Sequence, residues 1–129
     1  MAGKQPAQNK TSNIAVKRAY EPASADDGLR VLVDRLWPRG VTKARAGIDL
    51  WPKDMAPSDK LRRRAHSNPE KWDDFVKAYA AELKQEPAKS VFADLRARAE
   101  KEHITLVYAA RDEIHNHAVL LKRWLDRKR

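Results

Sequence analysis

Ile104-Thr105-Leu106-Val107-Tyr108-Ala109-Ala110 is the stretch that decides the fold class. It carries no charge and is rich in β-branched and aromatic residues. A half-exposed strand would alternate apolar and polar positions; this run does not, so it reads as a strand buried on both faces. Such a strand needs cover above and below, which points to a parallel sheet in an α/β layered fold.

Working outward, three other segments have strand character. Ile14–Tyr20 is closed by Pro22 and by the turn cluster Ser24-Ala25-Asp26-Asp27-Gly28. Leu29–Asp34 follows and is stopped by Trp37-Pro38-Arg39-Gly40, since proline lacks the ladder donor and glycine tolerates positive φ. Ile48–Trp51 is a brief third candidate before Pro52. Helical patterns fill the long interval before residue 104. Ser58 is an N-cap for a short helix through His66. Ser67-Asn68-Pro69-Glu70 opens a longer one with Trp72, Phe75, Val76, Tyr79 and Leu83 at helical spacing. Pro87 starts another, with Val91, Phe92, Leu95 and Ala99 on one side. Arg111-Asp112-Glu113 leads into the last, whose inner stripe is Ile114, Ala118, Leu121 and Leu125. The expectation is an α/β fold: a single small layered domain with a mostly parallel sheet of about four strands, flanked by helices. Residues 1–12 lack apolar periodicity and read as a disordered arm, leaving 13–129 as the domain.

Composition narrows the function classes. The 129 residues contain 27 Lys+Arg against 18 Asp+Glu, a net charge of +9, and the mean hydropathy is −0.79. Lys4 and Lys10 are the only charges in the arm, so the basicity belongs to the folded part. It biases the protein toward anionic partners: a phosphorylated small molecule, a nucleotide or a nucleic acid. No run approaches the roughly 20 apolar residues of a membrane span, and no secretion signal is visible, so no membrane role is expected. The absence of cysteine excludes disulfides, a thiolate nucleophile and thiolate-held metal, and suits the cytoplasm. Neither a Walker loop nor a dinucleotide fingerprint is present, and four glycines in all argue against a phosphate cradle built of backbone alone.

Ligands of open α/β sheets collect beyond the carboxyl ends of the strands. Two polar turns leave strands there. In the first, Asp34, Arg35 and Arg39 surround Trp37. The arginines suit phosphate, and Trp37 either stacks on a base or is buried beneath the next loop. In the second, Arg111 offers a planar donor fork beside the free N–H groups of a helix start, with His115, Asn116 and His117 adding donors. Asp34 and His117 are the candidates for proton transfer, should the protein be an enzyme. Histidines at i and i+2 diverge on a helix and no third ligand is evident, so neither a metal nor another cofactor is expected. The blander alternatives are that Asp112 is an N-cap, the histidines first-turn polar residues and Arg111 an ion-pair partner. Arg62-Arg63-Arg64 sweeps around its helix and reads as a solvated face.

Lys17-Arg18-Ala19-Tyr20, Asp26-Asp27-Gly28, Val33-Asp34-Arg35-Leu36-Trp37-Pro38-Arg39-Gly40 and Tyr108-Ala109-Ala110-Arg111-Asp112 through His115-Asn116-His117-Ala118 together resemble the YeaO-like branch of domain-of-unknown-function family 488. The likeness spans about residues 14–125. It implies a small cytoplasmic bacterial α/β protein and delivers no activity. Other branches of that family look similar but carry cysteine, glutamate, cysteine and arginine at the positions of Tyr108, Ala110, Asn116 and Ala118. His115 and His117 fit the pattern; the cysteines do not, so thiol chemistry does not carry over. Two readings lead: an anion-binding cleft for a phosphorylated small molecule or nucleotide, and a non-catalytic nucleic-acid-binding protein using its basic surface with Trp37. A protein-interaction module is a third.

Overall fold

The computed structural model describes residues 13–67 and 69–127. The expected arm and the expected cap residue Asn68 lie outside the described residues. Three strands, β1 (Ile14–Arg18), β2 (Leu29–Leu32) and β3 (Ile104–Tyr108), form one sheet in the order β1-β3-β2. Both pairings are parallel, with Ile14 and Leu29 each in register with Ile104. All five residues of β3 are buried, as its uninterrupted apolar run requires.

The expected fourth strand at Ile48–Trp51 lies beside β2 but pairs only through a single bridge, Val31 to Leu50. Asp49 and Leu50 both donate backbone N–H to the Arg30 carbonyl, and Leu50 accepts from Leu32. The ladder ends there because Pro52 has no N–H to continue it and Trp51 turns its Nε1 to the Asp34 carbonyl, 2.7 Å away.

Among the described residues there are five α-helices: α1 (Lys43–Ala46), α2 (Asp59–Ser67), α3 (Trp72–Glu82), α4 (Ala88–Ala99) and α5 (His117–Asp126). Ser58 caps α2 as its sequence suggests, accepting the Leu61 N–H at 3.2 Å. The main core lies between one face of the sheet (Ile14, Val31, Val33, Ile104, Leu106, Tyr108) and the helices, which contribute Phe75, Tyr79, Leu83, Leu95, Leu121 and Leu125.

The other face is covered differently. Residues 19–28 cross from β1 to β2 above β3 with one short 3-10 turn, Ala25–Asp27. A small apolar cluster of Ala19, Leu32 and Val107 sits there under Trp37, Ile48 and Trp51. Beside it Asp27 binds two cations, Arg30 Nη1 at 2.6 Å and Lys17 Nζ at 3.1 Å. Its carbonyl accepts the Thr105 hydroxyl of the central strand at 2.7 Å. Gly28, at φ 64°, follows where an added Cβ would strike the His103 carbonyl.

Candidate functional site

With every strand parallel, the turns leaving β1, β2 and β3 share one edge, and the candidate residues lie on them. Asp34 and His117 do meet. His117 Nε2 is 3.0 Å from both the Val33 carbonyl and Asp34 Oδ1. Both neighbours are acceptors, so Nε2 carries the hydrogen, and its directed bond runs to the carbonyl. Asp34 Oδ1 remains buried with a close but unaligned contact, while Oδ2 accepts the Ala109 N–H at 3.0 Å. The pair thereby staples the β2 exit to the β3 exit.

Arg18, which sequence reasoning left out of the site, staples the third exit. Its Nε and Nη2 donate to the carbonyls of Ala110 and Ala109 at 2.9 and 3.1 Å, and its guanidinium lies over the Tyr20 ring. Tyr20 Oη in turn donates to the Arg39 carbonyl at 3.1 Å. The available signal was an arginine at the last position of β1, level with Tyr108 at the end of β3.

The remaining candidates divide. Arg35 donates to the Pro57 and Ala56 carbonyls at 3.2 and 3.1 Å, holding the turn before α2. That guanidinium also lines a cleft of about 200 Å³ floored by Met55, Tyr79, Leu83 and Ala88. Trp37 is half-buried, spends its N–H on the Val41 carbonyl at 2.6 Å and meets Trp51 edge-on. Asn116 is the N-cap of α5: Oδ1 accepts from the Val119 N–H, and Nδ2 donates to the Asp112 carbonyl.

Asp112 changes the picture of an anion at a helix start. Its Oδ1 accepts the N–H groups of Ile114 and His115, both at 2.9 Å, and Oδ2 lies 3.1 Å from the exposed His115 ring. These backbone bonds, foremost that of His115, outweigh desolvation and hold the Asp112 carboxyl below its ordinary range. The N–H groups after Arg111 therefore already hold a carboxylate from the chain itself, and α5 begins only at His117. Ile114, expected on the inner stripe, precedes the helix and is exposed.

Arg39 and Arg111 are left. Both side chains are exposed, and among the described residues neither guanidinium has a hydrogen-bond or ion-pair partner. They stand on the exits of adjacent strands, each with an unspent donor fork. Among the described residues no group of three or more His, Asp or Glu could hold a metal ion, and no helix is long and apolar enough to cross a membrane.

Comparison with known proteins gives a family. A family model described as the inactive DUF488-N3 subclade matches residues 13–129. The chain is 43% identical over 114 residues to the uncharacterized protein YeaO of Escherichia coli, covering 88% of this chain and 96% of that one. It is 39% identical over 115 residues to the uncharacterized protein Mb3100c of Mycobacterium bovis, covering 89% and 95%. No solved structure matches. On a match over almost its whole length, the chain belongs to the DUF488-N3i family, as a YeaO-like protein.

Proposed function

We propose that this protein binds a small anion, a phosphorylated small molecule or a nucleotide, at the C-terminal edge of its sheet, and that it does so without catalysis. The observation that carries this reading is the pair of unspent guanidiniums, Arg39 and Arg111, on two neighbouring exits that other residues hold rigid. Rigid placement lowers the ordering cost of binding, and a planar fork matches a phosphate or carboxylate. The non-catalytic half of the reading gives His117 a structural role: its Nε2–H joins the Val33 carbonyl, and its part-buried ring meets Tyr79 edge-on. The word "inactive" in the family's description agrees with this.

The test is calorimetric titration with inorganic phosphate, ADP and a sugar phosphate. A charge-assisted hydrogen bond is worth roughly 1.5–3 kcal/mol, so Arg111→Ala or Arg39→Ala should weaken binding about ten- to a hundredfold. Because both side chains are exposed and unpaired, melting temperatures should stay unchanged. Equal affinity in wild type and both variants refutes the assignment. The rival nucleic-acid reading draws on the net charge of +9 and predicts a steep loss of affinity with salt. Support for it is thinner, since Trp37, the stacking residue it calls on, is half-buried and has its N–H bonded to the Val41 carbonyl.

A further inference from the structure

Among the described residues, the large apolar side chains left exposed are Tyr20, Leu36 and Ile114, at 39, 58 and 72% of their full accessible surface. Each follows a different strand: Tyr20 comes after β1, Leu36 after β2 and Ile114 after β3. Single exposed apolar residues scattered over a surface need no explanation. Here all three lie on segments that leave the sheet at its C-terminal edge, the edge that also carries Arg39 and Arg111. The turns bearing them are pinned by Tyr20 to the Arg39 carbonyl, by Arg18 to Ala109 and Ala110, and by Asp34 to Ala109. The apolar groups are thus presented on a fixed frame.

The polar inventory of the edge says what would cover it. Asp34 is bonded to Ala109 and faces His117; Asp112 is bonded to Ile114 and His115; Glu21 accepts the Arg18 N–H at 3.4 Å. Of the acids there, Glu113 alone has no bond among the described residues, whereas two arginine forks are free. The edge has two free donor forks against one free carboxylate, so its donors are in excess. A covering surface therefore brings apolar side chains together with carboxylates.

We infer that this edge is a docking surface for a partner protein, through a segment in which Asp or Glu alternates with bulky apolar residues. Leu36 and Ile114 contact the apolar side chains, and Arg39 and Arg111 take the carboxylates. This goes beyond the small-anion reading and shares only its two arginines, so phosphate and partner compete for them. A second copy of the chain fits less well. A two-fold contact sets one patch against itself, opposing free arginines on chains of charge +9. Nucleic acid fits less well too, because its interfaces are polar, Leu36 and Ile114 offer no stacking face, and the Tyr20 ring already has the Arg18 guanidinium over it.

The experiment is selection of a random peptide display library on the full-length protein, with affinities of the selected peptides measured by fluorescence anisotropy. Selected sequences should combine acidic with Leu, Ile, Phe or Trp residues. Leu36→Ser and Ile114→Ser should each weaken them about tenfold or more while leaving phosphate binding and the melting temperature unchanged. Arg39→Ala and Arg111→Ala should weaken peptide and phosphate alike. Peptides indifferent to Leu36→Ser and Ile114→Ser, or enriched in basic residues, overturn the docking proposal and leave the small-anion reading standing. Peptide binding that depends on Leu36 and Ile114, with no phosphate or nucleotide binding, sustains docking and removes the small-anion reading. If no peptide is selected, docking is overturned. Oligonucleotides that outcompete the peptides for Leu36 and Ile114 transfer the surface to nucleic acid and also overturn it.

Discussion

Asp27→Asn tests how the second face of the sheet, the one turned away from the main core, is held. The carboxylate accepts from Ser24 N–H at 2.9 Å, from Arg30 Nη1 at 2.6 Å, and from Lys17 Nζ at 3.1 Å to each oxygen. Asparagine keeps one acceptor and turns an NH₂ donor toward two cations. Removing one partner of a buried ion pair costs about 3–5 kcal/mol, chiefly through the charge left behind. Arg30, whose side chain is 5% exposed, cannot reach water, whereas Lys17, at 20%, can swing partly outward. Relief of Lys17 brings the expected loss to about 2–4 kcal/mol at pH 7. Burial alone would raise the Asp27 pKa. The Ser24 backbone bond, with those of Lys17 and Arg30, outweighs it and holds the pKa below the ordinary 3.8. A depressed carboxyl contributes stability that is complete above its unfolded-state pKa and fades as pH falls through the folded value. The wild-type advantage should therefore be constant from pH 7 to about 5 and shrink below about 4. Urea unfolding of both proteins across that range measures it. A deficit under about 1 kcal/mol at pH 7, or one that does not narrow in acid, would refute the account.

Three further outcomes follow from particular contacts. Gly28→Ala puts a methyl group against the His103 carbonyl at a positive φ, and should lower stability by about 1–3 kcal/mol in thermal or urea unfolding; an unchanged midpoint would mean the crossover shifts freely. Asn116→Ala removes both the α5 cap and the tie to Asp112, so a loss of about 1–2 kcal/mol is expected, with Asn116→Asp recovering part of it through the remaining acceptor. A chain beginning at Ser12 should melt at the full-length temperature, since the arm offers no bulky apolar residue after Met1; a lower midpoint would show that it packs on the domain.

The sheet was legible where a segment declared its own environment. Residues 104–110 did so, because a charge-free run of that length has no exposed strand to be. Ile48–Trp51 was harder: it has strand residues, and its reduction to one bridge depends on Pro52 and on Trp51 reaching Asp34, a contact 17 residues away. The start of the last helix was misread for a related reason. Ile114, Ala118, Leu121 and Leu125 keep helical spacing, but Asp112 and Asn116 are both cap-type residues, and the Asx turn at Asp112 keeps the chain out of the helix until His117. Arg35 and Arg39 show the limit most clearly. They are the same residue type in one short string. One is consumed by carbonyls at 56 and 57 and the other is free, and only the path of the chain before α2 decides which.

That path also governs what mutagenesis of the edge can show. The connection from β1 to β2 has ten residues and must pass over β3, too few for a packed crossover helix. Short of apolar cover, that face closes with a small cluster and an ion triad instead, and the edge above is held by side chains gripping backbone carbonyls. Arg18, Arg35, Asp34 and His117 are therefore poor reporters of binding, because replacing any of them releases a loop as well as a charge. Among the described residues Arg39 and Arg111 grip nothing, so a change in affinity on replacing them has one source. The same holds for Leu36 and Ile114 on the apolar side. A ligand or partner sensitive to these four residues, in proteins that melt as wild type does, is bound by the edge itself.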